Sequence, residues 1–295
     1  MKLHRLMGFT PSKESEPIAT GFQQLDLITG GIRPEHICTI AARPGMGKTA
    51  FAISLLRNIG VIQKVPTAFL SLELDEQEIV TRLKASLTGR WIDAPDQNNK
   101  QLPPSDFVKE LEKIGFQKMP EQNKDQMATD MMKGAPVWIE HDLGVSMNEI
   151  VSRMERLHQE DHVRVMIIDS LQWIKLANTY TEQSQALMKL YQAASKLNMA
   201  VVLTSSINRT TETRPGYHRP QLSDMRDWGQ IETYSSMVLF VYRPEYYCIE
   251  LFEDGHPSED MAEIIVAKNS FGRTGQVRMH FENQASFKEE VEDME

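Results

Sequence analysis

The sequence contains few cysteines and no apolar segment of the kind that enters a membrane. Only Cys38 and Cys248 are present and there is no CxxC motif, which argues against a disulfide framework and favours a reducing compartment. No apolar run approaches the roughly 18 residues that a membrane-spanning helix needs, and the first residues lack the apolar stretch of a signal peptide. We therefore expect a cytoplasmic protein without a membrane partner.

The chain also lacks an excess of basic residues. Its 295 residues include 32 lysines and arginines against 41 aspartates and glutamates, a formal net charge of −9. This balance argues against a general basic coat for nucleic acid, although a local basic groove can lie on an acidic protein. The length allows one large α/β domain or two small ones, and apolar residues, 41% of the chain, are enough for a sizeable core.

The most informative stretch that is present is a glycine-containing octet. It reads Ala42-Arg43-Pro44-Gly45-Met46-Gly47-Lys48-Thr49. A small residue, four variable positions and then Gly-Lys-Thr form the pattern of a phosphate-binding loop. The two glycines let the backbone N–H groups form an anion-binding nest. Lys48 would bring a positive charge to the β- and γ-phosphates of a nucleotide, and Thr49 would offer its hydroxyl to Mg²⁺.

The residues around the octet fit this interpretation. Residues 37–41 form an apolar, strand-like run. After the octet, apolar residues recur at helical spacing, and Gly60 is expected to end the helix. A strand, a glycine loop and a helix in this order place a helix N-terminus against a phosphate. The alternative is an ordinary glycine-containing turn between a strand and a helix.

Two acidic residues at the ends of predicted strands are candidates for the same site. Asp169 ends the apolar strand 165–168, which is the Walker B pattern of a carboxylate that holds Mg²⁺. Glu73 follows the strand 69–72, where a carboxylate would orient or deprotonate the water that attacks the γ-phosphate. The alternatives are a simple acidic turn at Asp169 and, at Glu73, an acid that interacts with a helix dipole.

The order of predicted elements indicates the fold class. Apolar strands near residues 67–72, 136–140, 163–168 and 200–203 alternate with amphipathic helices, and residues 90–134 interrupt the pattern. Three later strands, at 237–242, 264–267 and 276–281, follow one another without long helices between them. This order predicts an α/β fold with a mainly parallel core sheet and a β-rich C-terminal extension.

Further stretches match one family in the correct order. They are residues 20–26, 41–52, 71–74, 167–172, 208–209, 219–226, 239–243 and 267–275. Together they resemble the motor domain of the DnaB-type hexameric replicative DNA helicases, from about Ile18 to Phe281. The resemblance implies a RecA-like P-loop NTPase core that binds ATP between the subunits of a ring, most simply a hexamer. It also implies single-stranded DNA in the central channel.

The resemblance assigns roles to individual residues. Lys48, Glu73 and Asp169 become catalytic, and Thr49 with Asp169 becomes the Mg²⁺ pair. Lys268 becomes a charge that acts on the γ-phosphate of a neighbouring subunit. The expected ATP-binding residues are Arg43, Pro44, Gly45, Met46, Gly47, Lys48, Thr49 and Ala50.

Some positions depart from the family pattern. The family usually has Ser-Gln after the fifth core strand, where the Gln senses the γ-phosphate; this chain has Ser205-Ser206. The trans-acting arginine two residues after Lys268 is replaced by Ser270. Arg273, in the turn that follows, is a candidate replacement because its long side chain would reach a neighbour's phosphate. The alternative is that Arg273 is only an exposed turn residue.

DNA contacts are expected in two places. By resemblance, Arg226, Asp227 and Gly229 match the channel loop that touches the DNA backbone. The loop 206–220 also carries positive side chains that would neutralise phosphates, unless it is merely a solvated loop. Its candidate DNA-binding residues are Arg209, Arg214 and Arg219.

Three segments are expected: an N-terminal arm at 1–17, a motor domain at 18–283 and an acidic, solvated tail at 284–295. The arm is too short for the family's helical N-terminal domain, so we expect a weaker ring. One function hypothesis is an ATP-dependent helicase or translocase on single-stranded DNA, which would use a helicase loader. The alternative is a ring-forming, ATP-binding regulatory or assembly protein with weak or no unwinding activity.

Overall fold

The computed structural model describes residues 16–88, 120–175, 179–214, 216–225, 230–282 and 286–289. Within these residues a single sheet of nine strands has the order β3-β2-β4-β5-β1-β6-β7-β8-β9. The strands are β1 Ile37–Ala42, β2 Thr67–Ser71, β3 Val137–His141, β4 Val165–Asp169, β5 Ala200–Ser206, β6 Ser235–Tyr242, β7 Met261–Asn269, β8 Gly275–Glu282 and β9 Ser286–Glu289.

The sheet has a parallel half and an antiparallel half. The six strands from β3 to β6 pair in parallel, and β6 to β9 pair antiparallel. In β1, β2 and β4 every residue is buried, as expected for strands that helices cover on both faces. The predicted α/β fold with a mainly parallel core and a β-rich C-terminal extension is confirmed.

Helices cover the two faces of the sheet, and β1 contributes alternate residues to the core on each side. Cys38 and Ile40 belong to one core cluster, whereas Ile37 and Ala41 belong to the other. No helix in the described part of the chain combines the length and apolarity needed to cross a bilayer. The helices are α1 Gln23–Thr29, α2 Lys48–Leu55, α3 Glu76–Thr88, α4 Glu121–Lys133, α5 Met147–Asp161, α6 Tyr180–Lys196 and α7 Ile231–Tyr234.

The helix after the phosphate loop is longer than the sequence indicates. The expectation that Gly60 ends it was wrong, because α2 continues as a π-helix over Leu56–Ile62. Gly60 is buried inside this segment, and a Cβ there would lie 2.6 Å from Val137 Cγ2. The glycine is therefore required by close packing against β3 and does not terminate the helix.

The C-terminal segment belongs partly to the sheet. Residues 286–289 form β9, whereas the sequence predicted a solvated tail from 284 onward; for Glu289 this expectation was wrong. Phe287 is fully buried between Phe51 and Phe281, with ring centroids 5.4 and 4.9 Å away. The Glu289 carboxylate accepts a hydrogen bond of 3.0 Å from the backbone N–H of Leu25 in α1. Residues 1–15, 283–285 and 290–295 lie outside the described residues.

Candidate nucleotide site

The predicted phosphate loop connects β1 to α2 at the carboxyl edge of the parallel strands. Its two glycines have positive φ angles, 81° at Gly45 and 96° at Gly47. A Cβ on Gly45 would lie 2.9 Å from the Tyr246 ring, and one on Gly47 would lie 3.0 Å from the Phe281 and Phe287 rings. Both backbone conformation and space therefore require glycine at these positions.

Lys48 is the first residue of α2 and is partly buried at the floor of the loop. Its ammonium group donates hydrogen bonds to the carbonyl oxygens of Ala42, at 3.3 Å, and Arg43, at 3.5 Å. Burial lowers the pKa of Lys48, although the nearby Asp169 and Glu73 carboxylates oppose this effect. A partly buried ammonium whose hydrogen bonds go to carbonyl oxygens would be further stabilised by an anionic ligand.

Asp169 is buried at the end of β4, and neighbouring threonines contact both of its oxygens. Thr49 donates its hydroxyl to Oδ2 at 2.8 Å, and Thr204 donates to Oδ1 at 2.5 Å. Burial raises the pKa of Asp169. A cation beside this carboxylate would offset the cost of its charge. Asp169 and Thr49 thus form the donor pair that Mg²⁺ uses when phosphates complete its ligands, and the residues present fit this cation.

The metal site would need ligands from the nucleotide. Within the described residues, no group of three or more His, Cys, Asp or Glu side chains could hold a metal ion. Mg²⁺ bound with nucleotides commonly uses one or two carboxylates, substrate phosphates and water, so this geometry suits a nucleotide-bound cation.

Glu73 lines the same cleft as Asp169. The parallel register pairs Ser71 with Asp169, so Glu73 follows two residues beyond that pair. Its side chain is exposed, and its Oε2 accepts a hydrogen bond of 3.3 Å from the Trp173 indole N–H. The cleft has a volume of about 800 Å³. Lys48, Thr49, Glu73 and Asp169 all line it, so the structure brings these four predicted residues together.

The cleft is also lined by residues to which the sequence analysis assigned no role. The Arg243 guanidinium lies 4.1 Å over the ring of Phe281, and Tyr246 stands beside Gly45. All three residues line the cleft. Arg243 directly follows β6, a parallel neighbour of β1, so the rule that located Glu73 at a strand's carboxyl end would also have found it.

Gln172 occupies the space next to the altered Ser205-Ser206 pair. Its side-chain amide donates to Ser205 Oγ at 3.1 Å and to the Ser206 carbonyl at 3.4 Å. It also lines the cleft. The sequence analysis assigned no role to Gln172, although it falls within the matched stretch 167–172.

Lys268 and Arg273 lie at the other end of the sheet. Lys268 pairs with Val238, which pairs with Thr39, three residues before the carboxyl end of β1. At about 3.3 Å per residue, this places Lys268 roughly 10 Å from the level where the phosphate loop begins. Arg273 is exposed in the turn beyond, and its N–H bonds the Ile28 carbonyl at 3.3 Å. The structure does not bring either residue to its own subunit's site.

The candidate DNA loop is held by internal ion pairs. Arg214 pairs with the buried Asp224 at 2.8 Å, and Arg219 pairs with the buried Glu263 at 2.5 Å. These ion pairs neutralise both arginines within the chain. The DNA contacts expected of Arg214 and Arg219 stay predictions, and both would require the arginine to leave its carboxylate. Arg209 remains exposed. The other expected contacts, Arg226, Asp227 and Gly229, lie outside the described residues.

Arg43 joins the phosphate loop to this second loop. Its guanidinium pairs with Glu212 at 2.8 Å and donates to the Ile207 carbonyl at 2.9 Å. The Arg43 side chain therefore connects the phosphate loop to the segment after β5, and its expected contact with ATP stays a prediction.

The fold and the cleft together define a RecA-like α/β nucleotide-binding domain. The chain belongs to the DnaB-like helicase C terminal domain family, whose model matches residues 17–289.

Named relatives agree with this family. The chain is 31% identical over 274 residues to the replicative DNA helicase DnaB of Haemophilus influenzae, and the match covers 91% of the chain. It is 30% identical over 269 residues to DnaB of Geobacillus stearothermophilus, and that match covers 90% of the chain. The chain spans about half the length of these curated relatives, 54% in each case.

Solved structures give the same fold. A DnaB-like replicative helicase, solved in a study of its interactions with primase, matches with a TM-score of 0.76 and 27% identity. That match covers 94% of this chain and 62% of the other. A solved ATPase domain matches with a TM-score of 0.76 and 26% identity, over 94% of this chain and 92% of the other.

Proposed function

We propose that this chain is the ATP-driven motor of a DnaB-like DNA helicase, which hydrolyses ATP and moves along single-stranded DNA. The observation that carries the proposal is the contact between Thr49 and Asp169 at 2.8 Å, in one cleft with Lys48 and Glu73. A phosphate loop, a candidate metal pair and a candidate base are the parts that ATP hydrolysis requires.

Each part has a distinct role in the proposed hydrolysis. The backbone N–H groups of the loop bind the phosphates, and Lys48 neutralises the charge on the β- and γ-phosphates. Bound Mg²⁺, held by Thr49 and Asp169, would supply further charge neutralisation at the phosphates. Glu73 orients the attacking water and accepts its proton. The face formed by Arg243 and Phe281 offers a planar surface on which the base stacks.

The proposed motor is a ring, most simply a hexamer. Lys268 and Arg273 lie at the end of the sheet opposite the phosphate loop, so they would serve the site of a neighbouring subunit. Contacts in which one surface meets a different surface of the next copy close into a ring when the rotation permits. Light scattering over a dilution series, with and without a non-hydrolysable ATP analogue, tests this. A monomer at high concentration in the presence of analogue and DNA contradicts it.

A second function is favoured by particular residues. Ser206 stands where the family has its sensor Gln, and Ser270 where it has its arginine. Both changes favour a ring-forming, ATP-binding assembly or regulatory protein that does not unwind DNA. The two functions differ in DNA-stimulated ATP turnover and in the displacement of a DNA strand.

The deciding experiment measures ATP turnover with and without single-stranded DNA, and strand displacement on a forked duplex. The helicase proposal expects DNA-stimulated, Mg²⁺-dependent turnover together with displaced strand. ATP binding without either product supports the assembly protein instead. Adding a candidate loader to the same assay tests the partner expected from the sequence. The expected cytoplasmic location is part of this proposal.

A further inference from the structure

A single-turn 3₁₀ segment at Leu171–Trp173 follows β4 and turns toward the cleft. Its last residue, Trp173, is half exposed, with 51% of its surface accessible. Its indole N–H donates to Glu73 Oε2 at 3.3 Å. Glu73 follows β2 and Trp173 follows β4, and because these strands are neighbours in the sheet, the two side chains meet at the same part of the cleft.

This hydrogen bond is the one side-chain bond that the described residues give to the Glu73 carboxylate. Glutamate has three rotatable bonds, and an exposed glutamate samples many positions. Indole N–H is a donor only, so Trp173 can hold a carboxylate oxygen but cannot take a proton from water. One oxygen, Oε2, is thereby fixed, and Oε1 is left to accept a hydrogen bond from water.

We propose that Trp173 is a positioning residue for Glu73, which holds the carboxylate so that Oε1 faces the attacking water. The inference rests on the proposed ATPase function, in which Glu73 is the base. Positioning matters because a misplacement of about 1 Å can lower a rate by about 10²-fold. The exposure of Trp173 argues against a packing role, since a core tryptophan would be covered.

A competing role for Trp173 is to stack on the nucleotide base, because its ring also lines the cleft. The two roles affect different kinetic constants. A residue that positions the base catalyst changes kcat and leaves KM for ATP nearly unchanged, whereas a residue that binds the nucleotide changes KM. Trp173→Phe separates the roles, because phenylalanine keeps an aromatic ring and loses the N–H.

The experiment compares DNA-stimulated ATP turnover in wild type, Trp173→Phe, Trp173→His and Trp138→Phe. We expect Trp173→Phe to lower kcat about 10-fold, less than the roughly 10²–10⁴-fold loss for removing a general base, with KM within about twofold. Trp173→His keeps a ring N–H donor and should recover part of kcat. Trp138→Phe is the matched control, because Trp138 lies in β3, outside the cleft.

A double substitution tests whether Trp173 acts through Glu73. In a Glu73→Ala background, adding Trp173→Phe should leave the residual turnover unchanged, because the bonded carboxylate is already absent. Further loss in that background, a rise in KM, or wild-type kcat in Trp173→Phe overturns the inference. If wild type itself shows no turnover with DNA, the proposed function fails and the inference fails with it. If wild type is active and Trp173→Phe is equally active, the inference about Trp173 fails while the proposed function stands.

Discussion

The two halves of the sheet differ in how they place charged residues. In the parallel half, the carboxyl ends of β1, β2 and β4 bring Lys48, Glu73 and Asp169 into one cleft of one chain. In the antiparallel half, the β7–β8 turn carries Arg273 to the opposite end of the sheet, where its side chain has no carboxylate partner among the described residues. The first half supplies the charged residues of the site, and the β7–β8 turn of the second presents a charge away from it.

This difference follows from strand direction. Parallel strands end at the same edge, so residues that are distant in the chain converge there. An antiparallel hairpin returns its turn to the other edge. A charge on such a turn lies away from the phosphate loop of its own chain. If Arg273 acts in hydrolysis as proposed, it would act on the site of a second subunit.

The largest expected effect is the loss of ATP binding at the parallel half of the sheet. Lys48→Ala should abolish ATP binding, and with it all turnover, because no other ammonium group lies at the floor of the loop in the described cleft. Circular dichroism should remain that of a folded domain, since Lys48 bonds only two carbonyls. Isothermal titration with a non-hydrolysable ATP analogue measures the loss. Lys196→Ala, at an exposed ion pair on α6, is the control. Native affinity in Lys48→Ala would refute the loop assignment.

The next effect concerns the antiparallel half. If Arg273 supplies the trans charge, Arg273→Ala should lower DNA-stimulated turnover by about 10³-fold or more, and at least as much as Lys268→Ala. ATP binding should hardly change, because Arg273 lies far from its own phosphate loop. If Arg273→Ala has the turnover of wild type, Arg273 is only an exposed turn residue.

Mixing subunits makes this prediction specific to neighbouring sites. A Lys48→Ala subunit still has Arg273 and can donate it to an intact phosphate loop in the next subunit. Mixtures of Lys48→Ala with Arg273→Ala should therefore regain turnover that neither variant has alone. If the mixture stays inactive while the rings form, Arg273 does not act in trans.

The two halves also pack against each other, and a stability measurement tests how much this packing contributes. Phe287 of β9 packs against Phe51 of α2 and stands over Gly47. Phe287→Ala should cost about 3–5 kcal/mol in the free energy of unfolding, as for other buried phenylalanines. Phe271→Ala, at a half-exposed ring, should cost much less. Equal losses in urea unfolding would show that β9 does not support the nucleotide loop.

Much of the parallel half could be predicted from the sequence. Asp169 and Glu73 each follow a continuous apolar run, and buried parallel strands bring such ends together. The pairing of Arg219 with Glu263 could not be predicted, because it depends on the position of β7 beside a loop that follows β5. The contact of Trp173 with Glu73 depends on one 3₁₀ turn, whose geometry has no periodic signal.

The expectation of a solvated C-terminal tail was wrong at Glu289 for a related reason. Acidic residues dominate the end of the chain, and such composition is typical of a solvated tail. The strand there has only four residues, Ser286–Glu289, too short for a clear alternation of apolar and polar residues. Its burial is decided by partners far away in the sequence, which composition does not reveal.

The smallest expected effect is a pH dependence where β9 meets α1. Burial raises the pKa of Glu289 to about 7, although backbone N–H groups of α1 oppose this shift. At pH values below 4.5, the ordinary pKa of this group, the carboxyl group is protonated in both the folded and the unfolded chain. As pH rises toward 7, the unfolded chain releases this proton first, so the folded state loses stability relative to the unfolded state across that window.

Glu289→Gln isolates this contribution, because glutamine keeps an oxygen that accepts from the Leu25 N–H but carries no titrating charge. The variant should gain stability relative to wild type between pH 4.5 and 7, and the difference should level off above that. Thermal unfolding at several pH values measures it. Glu289→Ala, which also loses the acceptor, should be less stable than Glu289→Gln at every pH. A difference that does not change with pH would mean that the Glu289 carboxylate ionises in the folded chain as it does in the unfolded chain, and that its burial beside α1 costs nothing electrostatically.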